Sequence, residues 1–170
     1  MRIVVNDTSC LIDLRKAGIL HATLQLPFEF RIPITVVETE LKGFSAEDIA
    51  DLQARGLQII DQPSEQVKRA LELRSRRPTL SIHDCLCLAL VETLEQGIVL
   101  TGDKQLRTEA LKLKFEAHGI LWVCDHLLHH QVISVAALHQ GLIKLRDDPL
   151  VFLPEDELKA RIQKIADLLK

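Results

Sequence analysis

Ile3-Val4-Val5-Asn6-Asp7-Thr8-Ser9 joins a short β-branched run to a cluster of residues that end strands and cap helices. A strand that feeds straight into a helix opens an α/β unit, and the helix is expected from about Ser9 to Lys16. The alternation returns at Leu57-Gln58-Ile59-Ile60, a strand followed by a charged helix from about Ser64 to Arg76 that Pro78 cannot extend. It returns again at Ile98-Val99-Leu100, with a helix from Asp103 to about Ala117, and Ile120-Leu121-Trp122-Val123 after Gly119 reads as the last strand. Between the first two strands lie a helical stretch to about Leu24, a helix opened by Pro33 with Ile34, Val37 and Leu41 at helical spacing until Gly43, and a helix from Ser45 to Arg55. Strands alternating with helices predict a three-layer α/β/α fold around a central, mainly parallel sheet.

Ser81 opens the most apolar helix, in which Ile82, Cys85, Leu86, Cys87, Leu88, Ala89, Leu90, Val91 and Leu94 cover nearly every side, so this helix is expected to lie buried. From about Asp125 the chain is helical and polar, and Leu158, Ile162, Ile165 and Leu169 form one apolar stripe. Residues 1–130 are thus expected to form the α/β domain, and residues 131–170 a helical C-terminal extension packed on that domain or on a partner.

The size, 170 residues, suits one domain, and with aromatics at 4% the core must be aliphatic. A net charge of −3 argues against gripping nucleic acid through overall positive charge, so any such binding must be local. Four cysteines (Cys10, Cys85, Cys87, Cys124) in a chain this long do not make a disulfide framework and point to a reducing compartment. The first ten residues reach Asn6 and Asp7 after three apolar residues, too few for a signal-peptide core. A cytoplasmic protein is expected, without membrane association.

In open parallel sheets ligands bind beyond the carboxyl ends of the strands. Asp7 stands just beyond the first strand, and Asp103 just beyond Ile98–Leu100 in Thr101-Gly102-Asp103-Lys104. Asp84 lies in the first turn of the buried helix, and Glu38 and Glu40 lie on the helix that Pro33 opens. Each acid alone also reads as a helix cap, and Ser81 with Asp84 has the spacing of a capping box. Together they read differently, because a carboxylate opening an apolar helix costs desolvation energy unless a cation or hydrogen bonds offset it. A hard cation takes oxygen ligands from a few carboxylates and keeps several waters, which suits phosphodiester hydrolysis. Helical phase does not choose between Glu38 and Glu40, since Glu38 lies no farther from the apolar stripe than Glu40 does.

Four segments carry a resemblance. Ile3 through Ser9, Ile32-Pro33 through Val37-Glu38-Thr39-Glu40-Leu41, Leu80-Ser81-Ile82-His83-Asp84, and Val99-Leu100-Thr101-Gly102-Asp103-Lys104-Gln105-Leu106 resemble, in order and spacing, the acidic motifs of PIN-domain ribonucleases over residues 2–125. The resemblance implies a PIN-like nuclease domain in which Asp7, Glu40, Asp84 and Asp103 are catalytic and hold Mg²⁺ or Mn²⁺, with Ser9 and Thr101 as supporting hydroxyls. Glu40 is chosen by the family pattern of a Glu just before Leu. Arg107 departs from the pattern, near where some members place a further acid. The chain also resembles the toxins of VapBC-type toxin–antitoxin pairs, which implies a metal-dependent endoribonuclease. Its implied partners are RNA as substrate and an antitoxin protein that blocks the acidic pocket; a homodimer is a separate expectation.

Other features carry two readings. Arg74, Arg76 and Arg77 form a basic cluster suited to RNA phosphates or to a solvated helix end. His126 and His130, spaced i, i+4 with Cys124 and Asp125 nearby, match a zinc site only in part, since no second ligand pair exists elsewhere. Cys85 and Cys87 are two apart on a helix and read as core, Trp122 as a strand residue against a helix, and His83, beside Asp84 and so within reach of a substrate, as structural or solvent-facing. Two rival functions are a haloacid-dehalogenase-like phosphatase, which needs a second Asp where Ser9 stands, and a non-catalytic PIN-like binding protein.

Overall fold

The computed structural model describes residues 1–170. Strand β1 (Arg2–Asn6) is the middle strand of a wholly parallel five-stranded sheet, with β2 at Phe28–Pro33, β3 at Leu57–Ile60, β4 at Gly97–Leu100 and β5 at Glu116–His118. Helices α1 (Thr8–Ala17) and α2 (Leu20–Thr23) link β1 to β2, and α3 (Ile34–Glu40) and α4 (Ala46–Ala54) link β2 to β3. Helices α5 (Ser64–Arg76) and α6 (Ile82–Glu92) carry the chain back past β1 to β4, and α7 (Lys104–Lys112) links β4 to β5. The chain continues through α8 (Ile120–His129), α9 (Val135–Asp147) and α10 (Glu155–Asp167).

The strand order β3-β2-β1-β4-β5 means that the chain leaves β1 first in one direction and later in the other. Parallel neighbours require crossovers, and right-handed crossovers running in opposite directions put their helices on opposite faces, giving three layers. The point of reversal lies between β1 and β4. There Asn6 pairs with Leu100, and Leu100 with His118, so Asp7, Thr101 and Gly119 emerge together at one edge. Asp7 N–H donates to the Leu100 carbonyl at 2.9 Å, and Thr101 N–H to the His118 carbonyl at 2.9 Å.

Helix α6 is buried without interruption from Cys85 to Val91 and packs against β1, β2 and β4, as its unbroken apolar sequence requires. Each fully buried Leu or Val contributes about 1.5–3 kcal/mol, so packing rather than propensity holds this short helix. Its start is set by a capping box: Ser81 Oγ accepts from Asp84 N–H at 3.0 Å, and Asp84 Oδ2 accepts from Ser81 N–H at 2.7 Å. All four cysteines are free and buried. No helix is long and apolar enough to cross a membrane.

Three expectations need correction. The sequence reading contains no strand at Phe28–Pro33, yet β2 pairs there with both β1 and β3. The helix that follows Asp103 stops at Lys112 rather than near Ala117. Lys114 takes a left-handed backbone (φ 64°), Phe115 N–H closes on the Ala110 carbonyl at 2.9 Å, and Glu116–His118 becomes the edge strand β5. Finally, Ile120–Val123 is the first turn of α8 and not a strand, which puts Trp122 on a helix. The Trp122 ring meets His126 at 4.2 Å and Phe28 at 5.2 Å between centroids, and His126 also stacks with His130.

The last two helices lie on the α/β body. Leu138, Leu142 and Leu145 of α9 are buried, and Gly141 lets α9 touch the end of α1, where a Cβ would stand 3.0 Å from Ile19 Cγ2. Helix α10 buries Leu158 and Ile165 and is tied to α8 by the Arg161–Asp125 ion pair at 2.8 Å, while Leu169 stays exposed.

Candidate active site

Asp7 occupies the N-cap position of α1, but its side chain makes no capping bond. Instead Asp7 Oδ2 accepts from Ser9 Oγ at 2.7 Å and from Thr101 Oγ1 at 2.9 Å, which joins the residues just beyond β1 to those just beyond β4. Thr101 Oγ1 also accepts from Asp103 N–H at 2.9 Å, and Ser9 Oγ accepts from Gly102 N–H at 3.2 Å. A short loop and a helix start are thereby laced around one carboxylate.

Glu40, at the end of α3, is drawn to the same place. Its Oε2 accepts from Thr8 Oγ1 at 2.6 Å, and its Oε1 faces His83 Nδ1 at 2.6 Å. Glu38 is exposed on the same helix and joins none of this. Asp84 and Asp103 do act as caps, Asp103 Oδ1 accepting from Leu106 N–H at 2.8 Å and Asp84 Oδ2 from Ser81 N–H. The other oxygen of each, Asp84 Oδ1 and Asp103 Oδ2, has no protein partner.

The electrostatics agree with a shared pocket. Burial holds the Asp84 carboxyl above its ordinary value, and the charges of Asp7 and Asp103 push the same way against the Ser81 hydrogen bonds. Cys87, beneath on α6, is raised well above its usual range by burial and then by Asp7, Asp84 and Glu40. His83 is the one side chain able to carry positive charge that pairs with any of the four acids.

Whether these residues suit a divalent cation can be judged from the donors. They are all oxygen, they lack a balancing Lys or Arg, and two keep an unused oxygen. That chemistry fits a hard cation. As they are placed, no three acids, histidines or cysteines stand close enough together to hold a metal ion between them.

Sequence reasoning did not single out Thr8, and it read His83 as structural or solvent-facing without identifying its partner. Thr8 is buried and bridges to Glu40, 32 positions away, with no local signal to betray it. His83 was legible only as the neighbour of Asp84, whereas here it braces Glu40 and faces the Thr39 hydroxyl at 2.9 Å. Of the basic cluster, Arg74 is spent on the Pro78 carbonyl at 2.8 Å and Arg77 on Glu109 at 2.9 Å, leaving Arg76 exposed. Arg107 stands behind the pocket, donating to the Thr101 carbonyl at 3.0 Å.

The family model DUF3368, a PIN domain, matches residues 3–167. No curated protein matches the chain.

Proposed function

The chain belongs to the PIN-domain family, a family of nuclease fold, and from that premise we propose that it is a metal-dependent endoribonuclease hydrolysing RNA phosphodiesters. Asp7, Glu40, Asp84 and Asp103 are the proposed catalytic residues and would hold Mg²⁺ or Mn²⁺, with Ser9 and Thr101 fixing Asp7. The observation that carries the reading is the pair of hydroxyls on Asp7 Oδ2, which keeps that carboxylate off its own helix and turned to the point where the strand order reverses. Mg²⁺ or Mn²⁺, held by Asp7, Glu40, Asp84 and Asp103, would supply an activated water for attack and would offset charge on the departing oxygen.

The chain's own residues do the rest. Ser9 and Thr101 orient Asp7, while Thr8 and His83 orient Glu40. The capping bonds of Asp84 and Asp103 hold one oxygen of each carboxylate and leave the other for a ligand. In the reaction one P–O bond forms to the oxygen of water and one breaks to the leaving ribose oxygen, which takes up a proton. Arg76, free beside the α5–α6 connection, is suited to a backbone phosphate, with Arg74 and Arg77 shaping that surface.

By resemblance to VapC-type toxins, the protein is the nuclease of a toxin–antitoxin pair, residues 1–130 being its nuclease body and residues 131–170 an extension on it. Four free, buried cysteines are in keeping with a cytoplasmic protein.

The test is cleavage of single-stranded and structured RNA, with DNA in parallel, by the purified protein in Mn²⁺, in EDTA and as Asp7→Asn. Metal-dependent cutting of RNA that disappears in the variant supports the proposal. Cutting that survives EDTA or Asp7→Asn overturns it.

A further inference from the structure

Beside the acidic pocket, the connection between α9 and α10 opens with a turn at residues 149–150, and from Leu150 to Leu153 exposed and partly buried side chains alternate. Val151 and Leu153 pack against the core, while Leu150 and Phe152 point outward with 73% and 85% of their surface exposed. A turn on the surface leaves side chains outward, but nothing in its geometry requires those side chains to be apolar. Phe152 alone is exposed among the five phenylalanines and the one tryptophan of the chain.

The segment is pinned. Asp148 pairs with Lys16 of α1 at 3.0 Å, its Oδ1 accepts from Leu150 N–H at 2.8 Å, and its carbonyl accepts from Val151 N–H at 3.1 Å. Leu150 and Phe152 thus form one wall of a cleft of about 260 Å³ whose other sides include Ser9, Ile12, Asp13 and Gly102. Ser9 is the residue that holds Asp7 at 2.7 Å, so cleft and acidic pocket share a side chain. The only cation in the cleft, Lys16, is already paired, and Asp13 adds an acid. The cleft therefore offers phosphate no unpaired cation and suits a flat, neutral group, and it is smaller than the roughly 300–1,000 Å³ of an ordinary small-molecule pocket.

We propose that Phe152, with Leu150 beside it, stacks an unpaired base of the substrate strand next to the scissile phosphate, so that Phe152 selects for a nucleotide free of pairing at that position. The inference rests on the nuclease reading above. Aromatic stacking tolerates any base, so the selection is for an unstacked nucleotide rather than for a sequence.

The experiment compares the full chain and Phe152→Ala, in Mn²⁺, on short single-stranded oligoribonucleotides and on the same strands with one abasic position stepped along them. Phe152→Ala is expected to raise KM about tenfold, the scale of one lost stacking contact, with kcat kept. At one abasic position the wild type should show the same penalty, the variant should lose nothing more, and Phe152→Trp should restore KM on the intact strand. Wild-type cutting with an unchanged KM in Phe152→Ala overturns the inference and leaves the nuclease standing. A wild type that neither binds nor cuts RNA overturns both. If Phe152→Ala instead dissociates a dimer at constant KM, the cleft receives a second copy of the chain and the inference is wrong.

Discussion

His83 Nδ1 lies 2.6 Å from Glu40 Oε1, tying the start of α6 to the end of α3. The residue next to Asp84 thereby sets the position of another acid of the pocket. Partners that orient ligating groups typically account for about 10–100-fold in metal affinity or activity. His83→Ala should weaken Mn²⁺ binding by that order with the fold intact, and His83→Gln should recover part of it. Calorimetric titration of Mn²⁺ is the check; equal affinities in wild type and His83→Ala would show that the brace is idle.

Asp84→Asn should destroy cutting and stabilise the metal-free protein. The raised carboxyl of Asp84 means that the folded state holds its proton more tightly than the unfolded chain does. The associated stability is full below the ordinary value of 3.8 and is lost as pH rises through the raised one, so near neutrality the charged group is a burden. Asn removes the charge and can still accept from Ser81 N–H. Melting in EDTA at pH 7.5 should rise by about 2–4 °C for each kcal/mol relieved, and the advantage should shrink towards pH 4. A lower melting temperature for the variant at pH 7.5 would refute the argument.

His126 gives a pH effect of the opposite sign. Burial first, and then the neighbouring His130 and His129, lower it below its ordinary 6.5, and its Nδ1 is buried without a partner. As pH falls below that value the unfolded chain takes a proton that the folded state resists, so stability falls. The loss of melting temperature between pH 7.5 and 5.5 should be smaller in His126→Phe, which keeps an aromatic ring against Trp122 and Phe28. Identical losses would place the effect elsewhere.

Gly141→Ala tests how closely α9 is fitted to the body. Alanine gains about 1 kcal/mol of helix propensity, but its methyl would stand 3.1 Å from the Ala17 carbonyl oxygen, which cannot rotate aside. A net loss of about 1–2 kcal/mol is expected, seen as a fall in melting temperature of about 2–8 °C. An unchanged melting temperature would mean that α9 slides freely on α1.

The fold class was legible because β1, β3 and β4 are β-branched or aliphatic runs beside helix-starting residues. β2 escaped although Phe28, Phe30 and Ile32 alternate with Glu29 and Arg31, because Pro33 both ends the strand and caps α3, leaving no turn to mark the join. β5 is three residues of Glu, Ala and His paired along one side, with no apolar pattern to read. The run Ile120–Val123 is equally good as buried strand or buried helix, and only its continuation to His129 decides between them. At the site, the acids announce themselves by following strands or opening helices. Thr8 and His83 act through partners distant in sequence, and nothing local distinguishes them.

The central position of β1 also sets a schedule for synthesis. β1 precedes every other strand, yet one of its two edges stays open until residues 97–100 arrive to form β4. Asp7 and Thr101, 94 positions apart, can meet only after that. Chains emerge from the ribosome at about 5–20 residues per second, so the growing polypeptide spends seconds with its acids unassembled. An activity that needs the two together is withheld from the nascent chain by strand order alone, in surroundings dense with ribosomal and messenger RNA.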